Sequence, residues 1–284
     1  MKELLRAAFS QFEKNQIALV DAELLLAHLL GVSRKQIHSQ LIELPDNERE
    51  KISAEYNDLI QQRLLGRPVQ YITSSAPFRY LDLAVGEGVL IPRPETELIV
   101  DRVIGFLNSS ADRDLPKSVI DLGAGSGAIS IAIASEALLK GLKVTVVAVE
   151  KSAAAAIWLN KNIAKYDLPI RVVIDDVATA LPEVKADLVV ANPPYIPNEE
   201  KLPLEVEKYE PEIALRGGPA DGMQIPQQFI QAAERLLKPG GFFITEHHEK
   251  QGEQIRKMLA KDFLPAQTHA DLTGRDRFTS AIRR

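Results

Sequence analysis

The sequence predicts an α/β protein, a doubly wound parallel sheet preceded by a small helical domain that a β-hairpin joins to it. Three stretches of different apolar period carry this reading. Residues 1–67 space their apolar side chains at helical intervals, residues 68–94 alternate, and residues 95–284 repeat short apolar runs between helical segments.

In the first stretch Leu4, Leu5, Ala8, Phe9 and Phe12, then Leu24, Leu25, His28 and Leu29, then Ile52, Tyr56, Leu59 and Ile60 each mark one helix face. Ser33 to Gln36 reads S-R-K-Q, a capping box, and Asp46 is placed to cap the helix that carries Ile52 to Leu64. Met1 to Tyr80 holds ten Lys/Arg against ten Asp/Glu, so this domain is neutral and suits docking or positioning better than gripping nucleic acid. Val69 and Tyr71, then Leu81, Leu83 and Val85 around Gly86 and Gly88, read as the hairpin. Pro92 and Pro94 punctuate the chain before a helix that begins near Glu95. Five strands are then expected at Ser118–Leu122, Val144–Val149, Arg171–Ile174, Asp187–Ala191 and Phe242–Thr245. Ala153 to Ala156 sits inside a helical pattern and reads as helix.

The 284 residues are 45% hydrophobic and 26% charged, which excludes wholesale disorder and leaves ample chain for a large core. The formal net charge of −5 offers no chain-wide attraction to nucleic acid or anionic lipid. No Cys is present, so disulfides, thiolate zinc sites, iron–sulfur ligation and Cys nucleophiles all fall away. No apolar stretch approaches a membrane span, and the opening M-K-E-L-L-R-A-A-F-S-Q-F-E-K-N is amphipathic without a signal-peptide block; a soluble, cytoplasmic protein is expected.

Chemistry gathers at the ends of the expected strands. Val119 to Gly127 reads V-I-D-L-G-A-G-S-G, a strand entering a glycine turn and then an apolar helix, whose free N–H groups and missing side chains admit a ligand closely. Gly123, Gly125 and Ala128 also satisfy G-x-G-x-x-G/A, so the turn alone does not separate NAD from other nucleoside cofactors. The second strand ends at Glu150, where a carboxylate can accept from both hydroxyls of a ribose. The third ends at Asp175, Asp176 and Val177; Asp176 can accept from an adenine amino group and Val177 can cover the ring. The fourth strand runs into Asn192-Pro193-Pro194-Tyr195. Two prolines end the ladder and stiffen the backbone, leaving the Asn192 side chain and the Pro193 carbonyl as two acceptors for one NH2 group.

With these residues in place, the sequence resembles the class I, Rossmann-like methyltransferases that use S-adenosylmethionine, whose motif for methylating planar amino groups is [D/N/S]-P-P-[Y/F]. Within them it is similar to the HemK/PrmC family, the peptide chain release factor N5-glutamine methyltransferases. G-R-P-V-Q-Y-I at Gly66–Ile72, L-I-P-R-P-E-T-E at Leu90–Glu97, Y-E-P at Tyr209–Pro211, L-K-P-G-G at Leu237–Gly241 and G-R-D-R at Gly274–Arg277 match that family's pattern. The resemblance implies that Asp121, Gly123, Ala124, Gly125, Ser126, Gly127, Glu150, Asp176, Val177 and Asn192 bind S-adenosylmethionine, released as S-adenosylhomocysteine. It implies that Asn192, Pro193, Pro194 and Tyr195 hold the glutamine, with Tyr195 packed on the amide plane. The substrates implied are class-1 release factors, with no direct nucleic-acid or membrane partner, and residues 1–67 are expected to recognise the protein substrate.

The chain departs from the pattern in three places. Glu150 stands where the family often has Asp, and Val177 where a larger aromatic often covers adenine; both bear on cofactor affinity. Glu246-His247-His248 stands where Glu-Ile-Gly is usual. Neighbours on a strand face opposite sides, so the two His cannot chelate one metal ion and read as local packing or surface; no metal is expected. Competing readings are an adenine-N6 nucleic-acid methyltransferase, a glutamine methyltransferase of a ribosomal protein, and a non-catalytic cofactor-binding module. The acidic charge opposes the first, the P-R-P-E-T-E stretch the second, and the intact N-P-P-Y the third.

Overall fold

The structure, a computed structural model, describes residues 2–38, 46–110 and 113–284. It divides into two units: Met1–Ser75 with Pro203–Tyr209, and Ala76–Leu202 with Glu210–Arg284. The boundary therefore falls at Ser75 rather than 67, the hairpin belongs almost wholly to the second unit, and a short later segment returns to the first. Among the described residues no helix is long and apolar enough to cross a membrane.

The first unit consists of α1 (Lys2–Lys14), α2 (Leu19–Leu30), α3 (Arg34–His38), α4 (Asp46–Leu64) and α5 (Val69–Thr73), with Pro203–Tyr209. Leu5, Ala8 and Phe12 of α1, Ala22, Leu25 and Leu26 of α2, and Tyr56 and Ile60 of α4 form its core. The buried Tyr56 hydroxyl donates to the Ala22 carbonyl at 2.9 Å, tying α4 to α2. Arg63 reaches Asp21 at 2.7 Å and Glu205 at 3.0 Å, and the Tyr209 hydroxyl donates to the Leu65 carbonyl at 3.2 Å, which fastens the returning segment to α4. The S-R-K-Q box forms as expected: the Ser33 N–H donates to Gln36 Oε1 at 2.8 Å and the Gln36 N–H to Ser33 Oγ at 3.4 Å. The helix of α4 starts at Asp46, whose side chain lies outside what the structure describes.

Val69–Thr73 is helical, not the first arm of a hairpin. Pro68 presets the entry, and the N–H groups of Tyr71 and Ile72 donate to its carbonyl at 3.0 and 3.1 Å. Val69 and Ile72 are also an i, i+3 pair, so five residues were too few to separate a period of 2 from one of 3.6. The hairpin is β1 (Ser75–Phe78) and β2 (Leu81–Ala84), turning at Arg79, whose φ is +53°. Gly86 and Gly88 lie beyond β2. Their reason is close approach: a Cβ on Gly86 would collide with the Trp158 indole, and one on Gly88 would sit 2.8 Å from Ala154 Cβ.

The second unit continues as α6 (Glu97–Ser109), β3 (Lys117–Leu122), α7 (Ala128–Leu139), β4 (Val144–Glu150), α8 (Ala153–Tyr166), β5 (Ile170–Ile174), β6 (Ala186–Ala191) and β7 (Ile196–Pro197). After α9 (Leu204–Tyr209), which belongs to the first unit, come β8 (Arg216–Gly218), α10 (Gln224–Leu236), β9 (Leu237–Glu246), α11 (Gly252–Leu259), β10 (Gln267–Ala270) and β11 (Asp276–Ile282). The sheet order is β10-β11-β9-β6-β3-β4-β5, parallel except for β11, which runs antiparallel to both its neighbours. All five expected strands are present, and β10 and β11 extend the sheet beyond them.

Alternation along each central strand splits the core in two. Val119, Leu188, Val190, Phe242 and Ile244 pack with α6 and α7 on one face, while Ile120, Val189, Ala191 and Phe243 pack with α10 and α11 on the other. Strand order reverses between β3 and β6, the switch point where a doubly wound sheet opens a crevice. The fully buried Asn162 of α8 braces that crevice: its Oδ1 accepts from the Ala84 N–H at 2.7 Å, and its Nδ2 donates to the carbonyls of Ala84 and Ser126, both at 2.9 Å.

Candidate active site

The turn after β3 needs its glycines. Gly123, Gly125 and Gly127 have φ of +71°, +57° and +85°, so alternate residues occupy the left-handed region. A Cβ on Gly127 would stand 2.7 Å from Leu159 and 2.9 Å from Ile131, whereas one on Gly125 would meet nothing within 4 Å. Gly127 thus serves helix packing and Gly125 leaves an open approach. The Gly125 N–H donates to Glu150 Oε2 at 2.8 Å and the Ser152 N–H to Oε1 at 2.7 Å, so the loop and the end of β4 clamp one carboxylate. Each oxygen keeps a second lone-pair direction.

Beneath the loop, Asp121 is 1% exposed. Its Oδ2 accepts from the N–H and hydroxyl of Ser130, while Oδ1 is buried with no hydrogen-bond partner. Burial, reinforced by the Glu150 charge and opposed by Ser130, pushes its carboxyl up to about 7.

A cavity of about 470 Å³ opens over the switch point. Nine of the expected site residues line it: Gly123, Ala124, Gly125, Ser126, Glu150, Asp176, Val177, Asn192 and Pro194. Asp121, Gly127, Pro193 and Tyr195 are not part of that wall. Asp176 already accepts from the Ala178 N–H at 3.0 Å and pairs with Lys151 at 3.1 Å, contacts that hold its carboxyl below the usual range.

Asn192 follows β6 directly, and its Nδ2 donates to Thr96 Oγ1 at 3.1 Å. Among the described residues nothing donates to its Oδ1 or to the Pro193 carbonyl. Thr96 donates in turn to Glu246 Oε2 at 2.7 Å, and the Tyr195 hydroxyl donates to Glu246 Oε1 at 3.0 Å. Burial raises the Glu246 carboxyl above its ordinary value, opposed by these two donors and by Arg277. Burial first, then the Glu246 charge, also raises the Tyr195 phenol. The Tyr195 hydroxyl is thus tied to a carboxylate, and its side chain is not among those that line the cavity. Its carbonyl accepts from Gln251 Nε2 at 2.9 Å, and Ile196 donates to the Leu215 carbonyl at 3.0 Å, so the segment after the prolines is held from two sides.

Sequence reading missed Thr96 and Glu246. Both stood inside noted motifs, the P-R-P-E-T-E stretch and the end of the fifth strand, but neither motif states what it touches. Of the adjacent His residues, His247 is structural: it is fully buried, with Nε2 2.9 Å from the Thr279 hydroxyl and Nδ1 2.8 Å from the His248 carbonyl, and burial lowers its pKa.

Residues 3–73 match the PrmC N-terminal domain, and residues 98–206 match the methyltransferase small domain. A release factor glutamine methyltransferase of Bifidobacterium longum is 38% identical over 276 residues, 92% of each chain, and that of Streptomyces coelicolor is 38% identical over 92% of this chain and 89% of its own. The chain belongs to the release factor glutamine methyltransferase family. The Chlorobaculum tepidum member is 35% identical over 99% of this chain and 96% of its own. Among solved structures, a T. thermophilus 16S rRNA N2 methyltransferase in complex with AdoMet and guanosine superposes with a TM-score of 0.52 at 22% identity, over 74% of this chain and 50% of that one. At that identity the likeness establishes the class I methyltransferase fold and nothing finer.

In this family member Glu150 offers a direct test. Glu150→Ala is expected to weaken S-adenosylhomocysteine binding by on the order of 1–3 kcal/mol, roughly 5- to 150-fold. Glu150→Gln should be no better, because one end of its amide would set an NH2 against the N–H of Gly125 or Ser152. Calorimetric titration checks both, and parental affinity in either variant would remove Glu150 from the site.

Proposed function

We propose that this chain transfers the methyl group of S-adenosylmethionine to the side-chain amide nitrogen, N5, of the glutamine in the Gly-Gly-Gln motif of class-1 peptide chain release factors. The observation that carries the reading is Asn192, which lines the cavity with its NH2 committed to Thr96 and its carbonyl oxygen uncommitted. The residues fit the cofactor: a glycine loop open at Gly125 and a carboxylate with spare lone pairs at Glu150 for ribose hydroxyls.

Bound S-adenosylmethionine supplies an electrophilic methyl on a sulfonium centre. A carboxamide nitrogen is a weak nucleophile because its lone pair is delocalised into the carbonyl. Asn192 Oδ1 on the cavity wall accepts one of its N–H groups, and the adjoining Pro193 carbonyl, outside that wall but without a donor among the described residues, accepts the other, which orients the nitrogen and stabilises the positive charge that grows on it. Those bonds strengthen toward the transition state, which is where they accelerate transfer. The extra proton then leaves to water, since an N-alkylated amide that still carries it is strongly acidic. Pro194 helps wall the cavity, and Tyr195 anchors the motif from behind.

The helical unit is the part we assign to recognition of the release factor, supported by its own domain match and its neutral charge. The test is to supply methyl-labelled donor separately with release factor, ribosomal protein and DNA. Label on the release-factor glutamine is expected; label only on ribosomal protein or DNA would overturn the assignment in favour of that substrate.

A further inference from the structure

An Asn side chain can present either of its ends to a cavity, and only an oxygen facing the substrate amide is useful here. A hydroxyl neighbour does not by itself choose, because it can both donate and accept. In this protein the choice is made one residue further back. Thr96 is 4% exposed and Glu246 1% exposed, on two elements separated by 150 positions. Both Thr96 and Tyr195 spend their single hydroxyl proton on the Glu246 carboxylate. Thr96 Oγ1 then has only lone pairs left for Asn192, so it accepts from Nδ2 and turns Oδ1 outward.

We propose that Glu246 is a positioning residue for methyl transfer: through the Thr96 hydroxyl it sets which end of the Asn192 side chain faces the cavity. This rests on the methyltransferase reading above. A neutral group at 246 that donated to Thr96 would free the Thr96 proton for Asn192. The amide would then turn its NH2 toward the substrate NH2, donor against donor. Arg277, whose Nε lies 3.3 Å from Asp271, works against the effect of burial on the Glu246 carboxyl.

The test uses the full chain and a double-mutant cycle between Thr96→Val and Asn192→Asp. A carboxylate at 192 shows oxygen whichever way it lies. In the parental background it also faces a Thr96 oxygen whose proton is spent, so Asn192→Asp is expected to slow single-turnover transfer at least about tenfold. Thr96→Val alone should slow it by a similar factor with S-adenosylhomocysteine affinity within about twofold, and Thr96→Ser should recover most of the loss. In the Thr96→Val background, Asn192→Asp should instead raise the rate. Glu246→Gln should resemble Thr96→Val. Loss by the same factor in both backgrounds, or an unaffected Thr96→Val, would overturn the proposal.

Fluorescence of Trp158, the single Trp, confirms folding of each variant; if Thr96→Val does not fold, Glu246→Gln takes its place in the cycle. The side-chain NH2 signals of Asn192, recognised by NMR as the pair lost in Asn192→Asp, give a readout without catalysis. They should move in Thr96→Val and Glu246→Gln, and unmoved signals count against the proposal. A parent that methylates no release factor while these signals do move would fault the assigned substrate and not the orientation.

Discussion

Asn192→Ala is expected to leave S-adenosylhomocysteine binding within about tenfold of the parent while slowing methyl transfer at least about a hundredfold, about 2.7 kcal/mol of transition-state stabilisation. The cofactor should be little affected because the glycine loop, Glu150 and Val177 contribute separate parts of the cavity wall. The substrate nitrogen, by contrast, loses one of two acceptors, and the methyl side chain left behind offers no replacement. Calorimetry together with single-turnover kinetics separates the two effects. Unchanged transfer would remove Asn192 from the mechanism, and a loss confined to cofactor affinity would make it a binding residue only.

Asp121→Asn is expected to change how stability depends on pH. Burial pushes the folded-state carboxyl up to about 7 from an ordinary value of 3.8, so between those pH values the native state is expected to hold a proton that the unfolded chain releases. A group raised in this way contributes stability that is complete below its unfolded pKa and is lost as pH rises through its folded one. From pH 5 to 8 the parent should therefore lose on the order of 3 kcal/mol that an Asn at 121 does not lose. Urea unfolding followed by Trp158 fluorescence at each pH measures this within the second unit, to which Trp158 belongs. Parallel pH profiles for parent and variant would mean that Asp121 is ionised throughout.

Contiguous motifs were legible because their geometry is local. Positive φ at alternate residues demands G-A-G-S-G, two prolines follow the residue after β6 and stop the strand, and the Ser33–Gln36 box closes over four residues. What could not be read was long-range or weakly patterned. The strand β10 is exposed or half-buried along its length, so it carries no apolar alternation to betray it. Pro203–Tyr209 returns to the helical unit through Arg63–Glu205, a pairing across 142 positions that no local pattern contains. A Glu at a strand end reads as a solvated terminus, yet Glu246 is sealed by Thr96 and Tyr195.

The sequence alone determined the fold class, the glycine turn, the carboxylate at the end of β4 and the Asn192–Tyr195 turn after β6, since each depends on backbone preferences and periods within a few neighbouring residues. The tertiary structure decided that burial pushes the Asp121 carboxyl upward, that the Tyr195 hydroxyl turns to a carboxylate, and which end of Asn192 meets the cavity. These depend on the exclusion of water and on hydroxyl protons donated by residues far away in the chain. Both exist only once the sheet has closed its two faces.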